Sequence, residues 1–202
     1  MEKNYSRGIP YHSQRNNQVV PFASCNTTSA IMALKQAHIP IIEFEDEQPE
    51  DSLSRILETE EAWRKMKQLA PWSYDKWGKP IYRPQEVHVC LEWGINLYVG
   101  ESVDTFCSNL VLQDLVSNLD LGFGIVLSGV FPVESGELHH MVSLAGYVEE
   151  EGSLSHYIID DPYGNWHTAY TDHRGNDVRL TRDQFVEIFD RHGKYWAHMI
   201  GA

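Results

Sequence analysis

Four residues of this chain have the types and settings that acyl-transfer chemistry needs: Cys25, His140, Asp161 and Gln14. Cys25 lies in Phe22-Ala23-Ser24-Cys25-Asn26-Thr27-Thr28-Ser29-Ala30-Ile31-Met32-Ala33-Leu34, where a polar, turn-like stretch runs into a helical pattern. A thiol at a helix start faces the positive end of the helix dipole, which favours thiolate, the reactive form. A thiolate nucleophile needs a base to take its proton and a third group to orient that base. His140 opens the extended apolar run His140-Met141-Val142-Ser143-Leu144-Ala145-Gly146-Tyr147, so a strand would hold its backbone. His139 then points to the opposite face, and only one of the pair can meet the thiol. Asp161 ends the run Tyr157-Ile158-Ile159-Asp160 and is followed by Pro162, so its carboxylate can accept the second imidazole N–H. Asp160 takes that place if the strand register differs. Gln14, upstream of Cys25, offers a side-chain amide to an oxyanion, and the Cys25 backbone N–H at the helix start offers a second donor.

Each residue also has a plainer reading. A free Cys is commonly a small buried hydrophobe, a His a satisfied core residue, and an Asp before Pro a turn former. No Cys-x-x-Cys or His-x-x-x-His spacing occurs, so no metal site is expected, and the thiol chemistry needs no organic cofactor.

These side chains need elements to hold them. Ala30, Ala33, Leu34 and Ala37 recur at helical spacing, which predicts a helix from Asn26 to about His38, with Asn26, Thr27 and Thr28 as its capping residues. The acidic run from Glu43 to Asp51 reads as a solvated loop. A second helix is expected from Ser52 to before Pro71, then a loop over 71–84 whose Trp72, Tyr74 and Trp77 could pack on the domain or stack on a ligand ring. A short helix over 85–93 closed by Gly94, a strand over 96–99 and a helix over 108–119 follow. Strands are expected over 125–130, 141–148 and 156–159, then a capped helix over 181–189 and a last strand over 195–200. Helices fill the first half and strands the second, which argues an α+β fold in a single domain over 1–202.

The chain has 202 residues and a formal net charge of −13. That excess argues against nucleic acid, whose phosphates need clustered Lys and Arg, and against anionic membrane surfaces and cell-wall polymers. No apolar leader and no run of ~18 apolar residues is present, so neither a secretory signal nor membrane insertion is expected. Cys25, Cys90 and Cys107 cannot all pair, which fits a reducing, cytoplasmic setting.

Three blocks together resemble a known family. Pro10-Tyr11-His12-Ser13-Gln14, then Ser24-Cys25 with Thr28-Ser29-Ala30 and Met32-Ala33-Leu34, look like the C39-like (bacteriocin-processing-peptidase-like) branch of papain-like cysteine peptidases. His140-Met141-Val142 through Gly146-Tyr147 is similar to that family's His strand, and Asp161-Pro162-Tyr163-Gly164 to its Asp-Pro turn. The blocks come in the family's order and span about Ile9 to Ile200. Asn26 departs from the pattern, since relatives usually carry Gly directly after the Cys. The resemblance implies a papain-like fold, a helical N-terminal lobe carrying the Cys helix and an antiparallel C-terminal sheet. It makes Cys25 the nucleophile, His140 the base, Asp161 the orienter and Gln14 the oxyanion donor. The reaction implied is cleavage of a peptide or isopeptide bond in a peptide or protein substrate. Acyl transfer, deamidation or cell-wall peptide hydrolysis by the same triad, and a non-catalytic binding module, are the alternatives.

Overall fold

Helix α1 (Cys25–Gln36) is the centre of the architecture. The residues from Thr27 to Leu34 are buried on every side, which an amphipathic surface helix would not be. Chain packs around it: α2 (Pro49–Leu57) on one flank, and behind both α3 (Glu60–Leu69) and α4 (Pro84–Val99). The structure is a computed structural model and describes residues 1–69 and 84–201. Trp72, Tyr74 and Trp77 lie outside the described residues.

The sheet begins with β1 (Glu2–Asn4), then β2 (Asp104–Leu110). After helix α5 (Leu112–Asp120) come β3 (Gly124–Val133), β4 (Gly136–Glu150) and β5 (Ser153–Asp160), then β6 (Val178–Thr181), helix α6 (Arg182–Phe189) and β7 (Tyr195–Ile200). The spatial order is β2-β7-β3-β4-β5-β6, with β1 added on β4, and the pairings are antiparallel. The fold is α+β and papain-like.

Strand β3 is buried on both faces, which is why its sequence reads as a continuous apolar run and not as an alternation. Val126, with Met141 and Ile200, packs against α1, Leu53, Leu91 and Ile95. Its neighbours Ile125 and Leu127 face the other way, into a second core with Leu119, Tyr157, Phe185 and Phe189. The sheet is thus a partition between two apolar cores. Helix α1 lies so close to β3 that a Cβ on Gly124 would come 1.9 Å from the Ala33 carbonyl oxygen. Only glycine lets the helix that carries Cys25 approach the sheet this far.

Several local expectations are corrected. The helix expected to stop at Gly94 continues to Val99, so 96–99 is not a strand. Gly94 is a packing glycine: a Cβ there would meet Leu57 Cδ2 at 2.4 Å. The true stop is Gly100, at φ +82. Residues 104–110 are an edge strand, and the helix read over 108–119 starts at Leu112 instead, because Thr105, Phe106 and Cys107 pair with β7. The helix read from Ser52 onward is two helices, with the Thr59 hydroxyl accepting from the Ala62 N–H at the second start. The acidic run is solvated only over its first part. Glu50 and Asp51 are buried at the start of α2, because each has donors. Glu50 meets His12 Nδ1 at 3.0 Å, and Asp51 accepts from the backbone N–H groups of Gln18 and Val19.

Candidate active site

The sequence that leads into α1 fixes the thiol. Ser24 precedes the helix and is fully buried; its hydroxyl accepts from Asn17 Nδ2 at 2.7 Å, and the same nitrogen reaches Thr28 Oγ1 at 2.9 Å. Ser24 therefore makes no side-chain cap on the first turn, and the helix-start N–H groups keep their positive potential for the site. Asn26, Thr27 and Thr28, expected as caps, lie inside the helix. Cys25 is its first residue and is half-buried. Deeper in α1, Ser29 Oγ donates to the Met141 carbonyl at 3.0 Å, which ties the Cys helix to the strand bearing the histidine.

His140 sits on β4, 4% exposed, while His139 on the opposite face is exposed. Phe131 and Tyr163 stand edge-on to the His140 ring, at centroid distances of 5.5 and 6.3 Å, and limit its rotation. Its Nε2 lies 2.7 Å from Asp161 Oδ1. That leaves Nδ1 free to serve the thiol, which lies close enough for the imidazole to act on its ionisation.

Asp161 is completely buried just beyond β5. Its Oδ1 also accepts from the Tyr163 N–H at 2.9 Å, an Asx turn across Pro162. Its backbone N–H donates to the Gly175 carbonyl at 2.7 Å, and its carbonyl accepts from the Tyr11 hydroxyl at 2.7 Å. Gly175 lies so close that a Cβ would fall 1.9 Å from the Asp161 carbonyl oxygen. The Tyr170 hydroxyl lies toward the Asp161 carboxylate, outside hydrogen-bonding geometry. Asp160 faces elsewhere: its Oδ1 accepts from the Asp177 N–H at 2.8 Å. Burial pushes its carboxyl up to about 6 against the opposing pull of that N–H and the Ser6 hydroxyl.

The electrostatics of the thiol and imidazole run in opposite directions. Burial would raise the Cys25 thiol, but the hydrogen bond and charge of His140, with help from the Met141 backbone amide, outweigh it and hold the thiol low. Burial would lower His140, but the charge and hydrogen bond of Asp161, then Cys25, raise it to about 10. A lowered thiol facing a raised imidazole favours a thiolate–imidazolium pair over two neutral groups.

Gln14 opens a short 3-10 turn (Gln14–Asn16) and is 2% exposed. Its backbone N–H donates to the Pro162 carbonyl, next to Asp161, and its Nε2 to the Pro21 carbonyl at 3.2 Å, in the loop entering Cys25. Gln14 thus bridges the two halves of the site. One amide hydrogen is used in that bridge, and the other is available.

The structure hydrogen-bonds His140 to Asp161, sets the imidazole near Cys25, and ties Gln14 to Pro162 and Pro21 in the segments that carry Asp161 and Cys25. Sequence reasoning missed Tyr11, Asn17, Ser29, Tyr163 and Gly175. Tyr11, Ser29 and Gly175 bond backbone groups of distant segments, which leaves no local spacing to read, whereas Asn17 bonds the Ser24 and Thr28 hydroxyls and Tyr163 holds the Asp161 carboxylate through its own N–H.

Compared with known proteins, the chain matches the model of the Peptidase_C39 like family over residues 6–195. No curated protein matches it. Among solved structures, it is similar to one from Bacillus anthracis named as a candidate C39-like peptidase: 15% identity, TM-score 0.57, covering 100% of this chain and 98% of that one. A chain from work on the mite allergens Blo t 1 and Der p 1 aligns at 11% identity and TM-score 0.48, over 98% of this chain and 70% of that one.

Proposed function

The chain belongs to the Peptidase_C39 like family, and from that premise and the geometry of its site we propose that it is a cysteine peptidase using Cys25, His140 and Asp161. The observation that carries the proposal is the line from a fully buried carboxylate, through an imidazole 2.7 Å away, to a thiol at a helix N-terminus.

The Cys25 thiolate attacks the carbonyl carbon of a peptide or isopeptide bond. A C–S bond forms, and the carbonyl π electrons move to oxygen. The Cys25 backbone N–H and the free amide hydrogen of Gln14 hold that oxyanion. As the C–N bond breaks, the His140 imidazolium gives its proton to the departing nitrogen, leaving a thioester and a free amine. Neutral His140 then takes a proton from water, whose oxygen attacks the thioester. Collapse of that intermediate restores the thiolate and releases a carboxylic acid. Asp161 keeps its charge throughout, orients the imidazole through Nε2 and stabilises its charged form.

The pH-dependence of Cys25 alkylation by iodoacetamide tests the proposal, in wild type and His140→Ala, with Cys90 and Cys107 replaced by Ser so that one thiol reports. Fast reaction well below the free-thiol range of about 8.5, lost in the variant, is the expected result. An ordinary thiol curve in both proteins would sink it.

A further inference from the structure

A groove of about 910 Å³ is lined by residues that adjoin Gln14, Asp161 and His140 in the chain, among them Arg15, Tyr163 and Leu138, but by none of the four site residues themselves and by no residue of α1. One wall is the loop after Asp161, with Tyr163, Trp166 and Tyr170; the other is the β3–β4 hairpin, with Glu134 in its turn and Glu137 at the start of β4; Arg15 also lines the groove. The groove therefore belongs to the histidine side of the site. Phe131 links its floor to the imidazole, with Trp166 on one side at 6.2 Å and His140 on the other at 5.5 Å.

Resting on the peptidase reading, this placement says which part of a substrate lies there. His140 must protonate the departing nitrogen, so the departing segment lies on the imidazole side of the thiol. The acyl segment, bonded to sulfur, lies toward α1.

The groove also has a polarity. The Arg15 guanidinium stacks over the Tyr163 ring at 3.8 Å, and its Nε donates to the Tyr163 carbonyl at 2.6 Å. Both contacts fix its plane and leave the terminal nitrogens without a partner among the described residues. A planar pair of free donors suits a carboxylate. Glu134 and Glu137 sit exposed across the groove and repel a carboxylate there. Tyr163 touches both Arg15, at 3.8 Å, and His140, at 6.3 Å, so the guanidinium lies within about 10 Å of the imidazole. An extended chain covers that distance in about three residues.

We propose that this groove binds the departing segment of the substrate, and that Arg15 selects a segment carrying a carboxylate within its first three residues. The carboxylate is an Asp or Glu side chain or the chain's own C-terminus.

Two arms test this. In the first, the full chain is given fluorogenic peptides with Asp, Ala or Lys at each of the three positions after the scissile bond, as free acids and as amides. Wild type should prefer Asp over Lys by about tenfold in kcat/KM at one position, the scale of one partly exposed charge pair. A preference kept by the amides identifies a side-chain carboxylate; one confined to short free acids identifies the C-terminus. Arg15→Lys should retain most of the preference, Arg15→Ala lose it, and Arg15→Glu reverse it. No preference in wild type, or one that survives Arg15→Glu, overturns the proposal.

The second arm is independent of turnover. Departing-segment peptides, with a free amine and Asp or Lys at those positions, are titrated calorimetrically into Cys25→Ala and into Cys25→Ala/Arg15→Glu. Carboxylate-dependent binding lost in the double variant upholds the groove, even if no peptide is cut and the peptidase reading fails. Equal affinity for Asp and Lys peptides overturns it, even if cleavage proceeds.

Discussion

Asp161→Asn separates charge from shape at the site's most buried point. The amide is nearly isosteric, and its oxygen can still accept from the Tyr163 N–H, now held at 2.9 Å. What it loses is the anion beside His140 Nε2. That anion is the main support of an imidazole raised to about 10 from the ordinary 6.5 against burial, a displacement of about 5 kcal/mol shared with the Cys25 thiolate. Two effects on the thiol then compete. Removing a negative charge near Cys25 would lower the thiol directly, since Asp161 acts to raise it. However, that is the weakest influence on Cys25, and the hydrogen bond and charge of His140 are both larger. Loss of the imidazolium wins. Both contacts fall on Oδ1, so the Asn oxygen keeps that place and still accepts from the Nε2 N–H; the imidazole stays oriented and only the supporting charge is lost. The expected outcome is an alkylation profile moved to higher pH, with the iodoacetamide rate at pH 6 down by roughly tenfold or more, one pH unit being tenfold in thiolate. Near-ultraviolet circular dichroism should stay unchanged. A profile that does not move, in a folded variant, would refute the electrostatic account of the pair.

Other consequences are open to measurement. His88 is buried with Nδ1 3.1 Å from His198 Nε2, the Nδ1 of His198 is in turn 2.7 Å from Asp104 Oδ2, and burial pushes His88 down to about 2. It is neutral in the folded chain, whereas in the unfolded chain it gains a proton below about 6.5. Its contribution to stability is therefore complete above 6.5 and is lost as pH falls, by up to about 1.4 kcal/mol per pH unit; urea unfolding at pH 7 and pH 5 should show the loss, and His88→Gln should flatten it. His140 has the opposite sign: its folded value is raised, so its stabilisation is complete below about 6.5 and declines as pH rises towards 10, and His140→Ala should remove that alkaline limb from the same titration. Gly124→Ala would force a methyl group to within 1.9 Å of the Ala33 carbonyl oxygen. It should destabilise by about 2 kcal/mol or more and slow Cys25 alkylation as α1 lifts from β3, whereas a neutral effect in urea would contradict the close approach. Ser29→Ala removes the tie from α1 to the Met141 carbonyl and should cost about 1 kcal/mol by the same measurement.

What could be read in the sequence was what is local in the chain. Cys25 was legible because a polar turn runs directly into a helix, and the last helix because Thr181 and Gln184 form a capping box within four residues. Helix α4 was misread at Gly94 because a glycine that stops a helix and one that admits a neighbour look alike in one dimension. Only the Leu57 side chain, brought in from α2, separates the two. Strand β2 is not legible, and its last residues, 108–110, read as the start of the following helix, because its pairing partner lies at the other end of the chain, from Tyr195 to Ile200. The buried Asp104–His198–His88 chain was invisible for the same reason, its members being joined only by that pairing and by α4.

The site divides along the same line. The atoms proposed to react sit on residues with strong local context, whereas those that fix their positions reach across the fold. Tyr11 holds the Asp161 carbonyl and Ser29 the Met141 carbonyl, from 150 and 112 residues away. Such contacts use backbone acceptors, which every residue possesses, so the partner's identity carries no signal. A hydroxyl donor is all that the sequence has to preserve at the other end. Such contacts ask little of the sequence: the carbonyls come with the backbone, and few side chains are needed to fasten the Cys helix and the Asp loop in place.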